Sequence, residues 1–409
     1  MNTAVTAFVQ PLATAAAWPD DRPQVRPAAV ASIAGQGLSV IRTAAQFEAL
    51  APEWLALETE ADGAQFFQSA GWARAIFAFE AARDTGRFDP IIVALRQNGR
   101  LRAVLPLERL GGALRILVPL GDGFAQFTDL LCAPDLDTKA AVDAMLAAAI
   151  KAAPCDLVSL HKVRSDGHLV AGLSGAVQTG EALGAPFERL TDWADFEGYF
   201  ASIRPKTRKN MRSGRNRLER EGPLEHRIAL GDAAIGAVVA RIVAGRANRL
   251  KEQGLTSRAF ADRDFAGFCA GLAGAAGIEV MALSLCRDGE PLSEQWGFVH
   301  GGRYYIFMTS RDFGSSEESP GKLQMKDVMQ ASFARGIRTV DFMTPIMPYK
   351  QTWCRQLAQV RDYAIPVTPK GWLRINLWDR RARPRLKRVV NGLPKPLRTA
   401  LLRLVGKTV

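Results

Sequence analysis

Residues 304–336 read YYIFMTSRDFGSSEESPGKLQMKDVMQASFARG. An apolar run, Arg303–Thr309, gives way to a Ser/Gly-rich stretch, and Ser319-Pro320-Gly321-Lys322 then opens a new pattern. Met325, Val328, Met329, Ser332 and Phe333 recur at three- and four-residue steps, and Gly336 follows them. The spacing predicts a strand, a loop over 310–321 and a helix that ends at the glycine. Pro320 pre-sets the first turn, and Gly321 lets a backbone approach closely. The free N–H groups of such a helix start attract anions, so a pyrophosphate would fit there, with Lys322 adding charge. Taken alone, Ser-Pro-Gly is more often the mark of an ordinary capped helix.

Working outward, Glu279–Cys286 and Pro291–Val299 flank Arg287-Asp288-Gly289-Glu290, which predicts a hairpin. Two helical patterns precede it, one after Asp232, read as its cap, and one carrying Phe265, Phe268, Cys269 and Leu272. Val340–Met343 reads as a short strand after the 325–333 helix. The first half has the same order. Helices are expected from Thr43 and over Ser69–Arg83, then a hairpin about Asn98-Gly99 between Pro90–Arg96 and Leu101–Glu108. Strands follow at 114–119 and 127–131, a helix at 138–152 and a strand at 156–161. The halves share this order of elements and little sequence, which points to a duplicated architecture.

Hydrophobic residues make up 48% of the 409 and charged residues 23%, which excludes a wholly disordered chain. The net charge is +12, but residues 370–409 hold 12 Lys/Arg and one acid, so the other 369 are nearly neutral. No run reaches the roughly 18 uncharged residues of a membrane span. No secretory signal is read from the Ala/Pro/Val-rich start, and residues 1–36 are expected to be a disordered lead. Five scattered cysteines, with no CxxC and no Cys/His cluster, predict neither a disulfide framework nor a metal site. They suit a reducing compartment, so the expected location is cytoplasmic.

Several further motifs occur in a fixed order: FFQSAGW (66–72), Leu105-Pro106-Leu107, and Lys206-x-Arg208-Lys209-x-x-Arg212 with Arg217-Leu218 and Gly222. Then come Gln295-Trp296-Gly297, Tyr304-Tyr305 with Arg311-Asp312, Ser319-Pro320-Gly321, and Val340-Asp341-Phe342 before Tyr349-Lys350 and Trp353. Over about 45–365 this series resembles the GNAT acyltransferase superfamily. Its details are similar to the CelD/BcsL-type acetyltransferases associated with cellulose and exopolysaccharide synthesis, which are related to Fem-type aminoacyltransferases. One departure is Met343-Thr344-Pro345, where relatives often carry a glycine. The resemblance implies an α/β fold of two tandem GNAT-like domains with mixed central sheets. They are expected at 37–190 and 191–369, the second carrying the acyl-CoA loop, with a basic amphipathic tail over 370–409. It implies transfer of an acetyl or other acyl group from acetyl-CoA, as co-substrate and without a metal, to an amine or hydroxyl of a sugar or polysaccharide-related acceptor.

Acyl transfer requires a held donor, an acceptor that loses a proton and a thiolate that leaves. Asp312, Ser319, Pro320, Gly321 and Lys322 are the cofactor-binding candidates. The catalytic candidates are Glu294, on the hairpin, and Asp341, a charge on an apolar strand that must be paired or used. Tyr349 and Lys350 join them: the resemblance gives the first a proton-donor role toward the thiolate and the second a substrate-binding role. Arg208, Arg212 and Trp296 are candidates for the acceptor. Each also has a plainer reading, as solvated basic residues for the run from Arg204 to Arg220 and as core wall for Trp296. His161, His168, His226 and His300 show no partner spacing.

In the tail, Trp372, Leu373, Ile375, Leu377, Trp378 and later Leu397, Leu401, Leu402, Leu404 and Val405 are interspersed with cations. That pattern suits an anionic membrane surface and peripheral attachment at the inner face, although Pro384, Pro394 and Pro396 are expected to break it into short pieces. Nucleic acid is disfavoured, since no stacking platform or groove-reading motif is visible. Two other functions are consistent with the residues: a Fem-like aminoacyltransferase using aminoacyl-tRNA, and a non-catalytic scaffold of a glycan synthase.

Overall fold

The computed structural model describes residues 36–253, 257–311 and 320–392. It begins with β1 (Gln36–Ile41), α1 (Ala44–Glu60) and α2 (Ala70–Arg83), followed by β2 (Pro90–Gln97) and β3 (Arg100–Leu110). Next come β4 (Ile116–Pro119), β5 (Leu131–Cys132), α3 (Thr138–Ala152), β6 (Leu157–Arg164) and β7 (Val177–Arg189). The chain continues through α4 (Phe196–Ser202), α5 (Pro205–Glu221), β8 (Leu224–Ile228), α6 (Asp232–Glu252) and α7 (Phe265–Gly271). It then forms β9 (Glu279–Arg287), β10 (Glu290–His300), β11 (Arg303–Arg311), α8 (Pro320–Ala334), β12 (Thr339–Asp341) and β13 (Gln356–Pro366). A last helical stretch comprises α9 (Pro369–Leu373), a π-helical segment over Arg374–Ala382 and α10 (Arg383–Gly392).

Both hairpins form where alternation placed them. Asn98 and Gly99 have φ of 51° and 78°, Asp288 and Gly289 of 50° and 85°. Two consecutive positive φ values are what a two-residue turn between right-twisted strands requires, and Asn-Gly and Asp-Gly accept them at least cost. Ser69 of FFQSAGW caps α2 by accepting the Trp72 N–H. Asp232 does not cap α6: Gly231 precedes the helix, and Asp232 is its first residue, where an acid suits the helix dipole. The strand expected at 127–131 shrinks to β5 and one bridge between Thr128 and Val163.

The strands form one 13-stranded mixed sheet in the order β1-β2-β3-β4-β6-β13-β7-β12-β11-β10-β9-β8, with β5 beside β3. β4 with β6 and β11 with β12 pair in parallel. The last strand, β13, lies between β6 and β7, and β7 pairs in turn with β12. Strands from either end of the chain are therefore interleaved at the sheet's centre. β1, β7, β8, β13 and the helix α4 have no counterpart in the sequence reading.

Among the described residues three large apolar clusters and a small one hold this sheet. One packs α3 on the first-half strands and one packs α5 and α8 on the second-half strands. The third joins the halves through α1, α2, α6 and α7. In it Phe66 stacks on Phe298 at 3.9 Å, and Tyr305 donates to the Gln65 side chain at 3.1 Å. The FFQSAGW segment is thus a joint between halves. Gly71 is required there, because a Cβ would lie 2.3 Å from the Gly277 carbonyl oxygen.

The tail is helical through Gly392, and Pro384 sits in the first turn of α10 without breaking it. Pro394, Pro396 and the lead before Gln36 lie outside the described residues. Ile375 is fully buried against Leu157 and Ala364, whereas Trp372, Leu377 and Trp378 are 53%, 50% and 43% exposed. Among the described residues no helix is long and apolar enough to cross a membrane.

Candidate active site

The decisive local feature is where β11 and β12 part. Their parallel pairing covers only Arg303–Tyr305 against Thr339–Asp341. β11 runs on to Arg311 with β10 beside it, while β12 has ended, so the sheet opens along Ile306–Arg311. Within that opening β11 carries a bulge. Trp296 pairs with Met308 and Gly297 with Ile306, so Phe307 is the extra residue. A bulged residue drops out of the ladder and bends its strand. Gly297 makes this possible: a Cβ would sit 1.9 Å from the Tyr305 carbonyl oxygen.

Beyond β11, α8 begins at Pro320, which is buried, with Gly321 half-buried and Lys322 exposed. The helix packs Leu323, Met325, Val328, Met329 and Ser332 on the second-half sheet. Its first N–H groups have no carbonyl one turn back, which gives that end partial positive charge. Asp312 and Ser319 lie outside the described residues.

The chain leaving β12 builds the other wall. Asp341 is fully buried and accepts from Arg164 at 2.7 Å, Arg303 at 3.0 Å and the Met343 backbone N–H at 2.8 Å. Asp166 binds Arg164 from the other side, at 2.8 Å. Lys350, only 7% exposed, donates to the carbonyls of Phe342, Met343 and Pro345 at 2.7, 2.9 and 2.9 Å. Burial pushes this amine down to about 8, against the pull of Asp341. Three carbonyl acceptors ask for all three hydrogens of an ammonium, so the charged form is the one that fastens the 342–350 loop.

Residues 205–351, from α5 to the end of this wall, match the acetyltransferase (GNAT) domain family. This segment is similar to a GNAT acetyltransferase domain. No curated protein sequence matches the chain. Among solved structures, the crystal structure of FemX aligns with a TM-score of 0.57 at 11% identity, over 80% of this chain and 98% of that one. A tandem GNAT protein from the clavulanic acid biosynthesis pathway aligns over 81% and 99% of the two chains, at 12% identity and TM-score 0.44. A GCN5-related N-acetyltransferase from Sphaerobacter thermophilus covers 82% and 97%, at 12% identity and TM-score 0.37. At such identities the likeness is one of fold. The mixed α/β architecture expected from the sequence is the one observed, with the GNAT-like match falling in its second half.

Within the GNAT domain the remaining candidates fall in different surroundings. Glu294 is buried on β10, held by Arg241 of α6 at 2.7 Å and by the Ser284 hydroxyl at 2.9 Å. Its strand partner Ser310 lies at the open end of β11. Trp296 is fully buried against Phe298 and Phe307, so it supports the bulge from behind. Tyr349 is 38% exposed beside Lys350, with Arg246 of α6 close enough to feel its charge. Arg208 turns back to the Ile203 carbonyl at 3.0 Å, and Arg212 is exposed on α5. Around α5, Met211, Gly214 and Leu218 are buried and the basic residues lie outside.

Sequence reasoning missed Arg164, Arg241 and Arg303, and it named Gly297 without its role. Arg164 meets Asp341 across 177 residues of chain. An arginine in an alternating strand carries no mark of such a partner. Gly297 could have been found, since an isolated glycine in a strand suggests a bulge.

Proposed function

We propose that the chain is an acyl-CoA-dependent N- or O-acetyltransferase acting on a sugar or polysaccharide-related acceptor, of the CelD/BcsL type. The observation that carries this reading is the opening between β11 and β12, with the bulge at Phe307 and α8 as the next element of the chain. Such an opening suits an extended donor arm, and the helix start that follows β11 in the chain suits its phosphates. In this reading Gly321, Lys322 and Pro320, with Asp312 and Ser319, receive the pyrophosphate. The acceptor nitrogen or oxygen attacks the thioester carbonyl directly, the C–S bond breaks, and Tyr349 supplies a proton to the departing thiolate. Glu294, fixed by Arg241, is the carboxylate on the acceptor side. Asp341 and Lys350 hold the 342–350 wall, Trp296 backs the bulge, and Arg208 and Arg212 lie along the acceptor's approach. The experiment is calorimetry with acetyl-CoA, followed by release of free thiol with amino- and hydroxy-sugar acceptors. One donor per chain and acceptor-dependent thiol release are expected; two donors per chain or no binding would overturn the reading.

A second reading uses aminoacyl-tRNA as donor. The exposed basic face of α5, with Lys206, Lys209, Arg212, Arg217 and Arg220, is the observation that favours it. Turnover that requires charged tRNA and ignores acetyl-CoA would select it. Either way, the exposed Trp372 and Trp378 among the tail cations suit a cytoplasmic protein held to the inner face of a membrane, where polysaccharide is made.

A further inference from the structure

The first half has its own parallel pair that parts. Ile116 and Leu117 of β4 pair with Leu157 and Val158 of β6, after which the strands separate until Thr128 meets Val163. Three side chains converge in that opening. Asp122 comes from the loop after β4, and Ser159 and His161 come from β6, two residues apart and so on one face. The His161 Nδ1 lies 2.5 Å from an Asp122 oxygen, and its Nε2 lies 3.0 Å from the Ser159 hydroxyl. The second Asp122 oxygen accepts from Arg258 at 2.6 Å. The Asp122 side chain is 4% exposed and that of His161 26%, so the carboxylate is enclosed and the imidazole reachable. Burial works against the Asp122 charge, yet the hydrogen bond and charge of His161, with Arg258, keep its carboxyl below the ordinary range. A cavity of about 540 Å³ adjoins this group on its Asp122 side, where Gly121, Gly123 and Arg258 line it together with Ile76, Phe124 and the carboxyl of Glu108. Its size lies within the roughly 300–1,000 Å³ of small-molecule sites.

We propose that Ser159, His161 and Asp122 form a second, coenzyme-independent acyl-handling site whose substrates are esters or thioesters of short acyl groups. The order of contacts carries the inference: an enclosed carboxylate fixes one imidazole nitrogen, and the other accepts from a hydroxyl. This goes beyond the transfer proposed for the β11/β12 opening, from which β6 is separated by β13 and β7. The Ser159 oxygen attacks the acyl carbonyl while its proton passes to His161 Nε2. The ester C–O or thioester C–S bond breaks, and the leaving alcohol or thiol takes that proton. Water then attacks the acyl-serine, His161 again carries the proton, and the free acid and Ser159 hydroxyl are restored. Asp122 is a positioning residue: it holds the tautomer that leaves Nε2 free to accept.

The test treats the full chain with a biotinylated fluorophosphonate and maps the adduct by mass spectrometry, alongside the p-nitrophenyl acetate burst. A single adduct on Ser159 is expected, with a burst approaching one nitrophenolate per chain. His161→Gln should slow labelling by ~100-fold or more, the lower end of general-base effects. Asp122→Asn should move the pH midpoint of labelling, whereas mere loosening of the loop would lower the rate equally at every pH; the charged neighbours here are Arg258, Lys162 and the buried Glu108, which burial pushes up to about 7, so Glu108→Gln is run alongside and should leave the shift in place. Absence of an adduct on Ser159 in the unaltered chain would overturn the proposal. So would an adduct that forms equally fast in His161→Gln. The first of these outcomes does not depend on how any variant folds.

Discussion

Replacing Asp341 by asparagine separates a structural carboxylate from a catalytic one. Asp341 has no exposed surface, and neither does the side chain of its partner Arg164. Arg303, its second partner, is 18% exposed. Two acids, Asp341 and Asp166, oppose two arginines, so the cluster is neutral as built. Asparagine keeps the shape and one acceptor but leaves one positive charge uncompensated beside Lys350. Breaking a buried pair from one side costs ~3–5 kcal/mol, which for a chain of this size corresponds to roughly 4–7 °C in midpoint. Asp166→Asn is the control. Its side chain is 37% exposed and Arg164 retains Asp341, so the expected loss is smaller than for Asp341→Asn. The assay is thermal unfolding of both variants with acetyl-CoA binding measured on the folded protein. If Asp341→Asn keeps the original midpoint but abolishes turnover, the carboxylate takes part in chemistry and the structural argument is refuted.

Three further outcomes follow from the site and the tail. Gly321→Val should weaken acetyl-CoA binding by ~1–3 kcal/mol with the fold intact, since a branched side chain obstructs the helix start; unchanged calorimetric affinity would remove the phosphate role. The Lys350 ammonium uses three hydrogens, so turnover should fall as pH rises through about 8, and Lys350→Met should lose that limb of the pH profile along with most activity. The sign for stability is opposite: between about 8 and the ordinary 10.5 the folded site holds fewer protons than the unfolded chain, so its contribution grows with pH, as unfolding titrations would show. For the membrane, Trp372→Ser with Trp378→Ser should cut co-sedimentation with anionic vesicles, and added salt should weaken the remainder. Equal sedimentation of variant and original chain would exclude the tail's aromatic face as an anchor. These substitutions are cleaner than truncation after Pro369, which would uncover Leu157 and Ala364 by removing Ile375.

What the sequence by itself determined is local and periodic. Asn98-Gly99 and Asp288-Gly289 placed two turns because few other dipeptides accept two positive φ values. Three- and four-residue steps placed α1, α6 and α8, and the order of motifs resembled the GNAT superfamily before any contact was known. Even Lys322 and Gly321 could be set at a helix start, because Pro320 announces one. The tertiary structure decided what depends on chain segments far apart. β13 enters the sheet between β6 and β7, and nothing in its alternating pattern names those neighbours, since alternation reports which face is buried and not which strand lies alongside. For Asp341, burial in an apolar strand left use and pairing equally open, until Arg164 and Arg303 arrived from other strands to pair it. His161, which shares β6 with Ser159, looked solitary for the same reason. Asp122 reaches them only when β4 and β6 part, and a carboxylate's effect on an imidazole falls off over a few ångströms in space, whatever their separation along the chain.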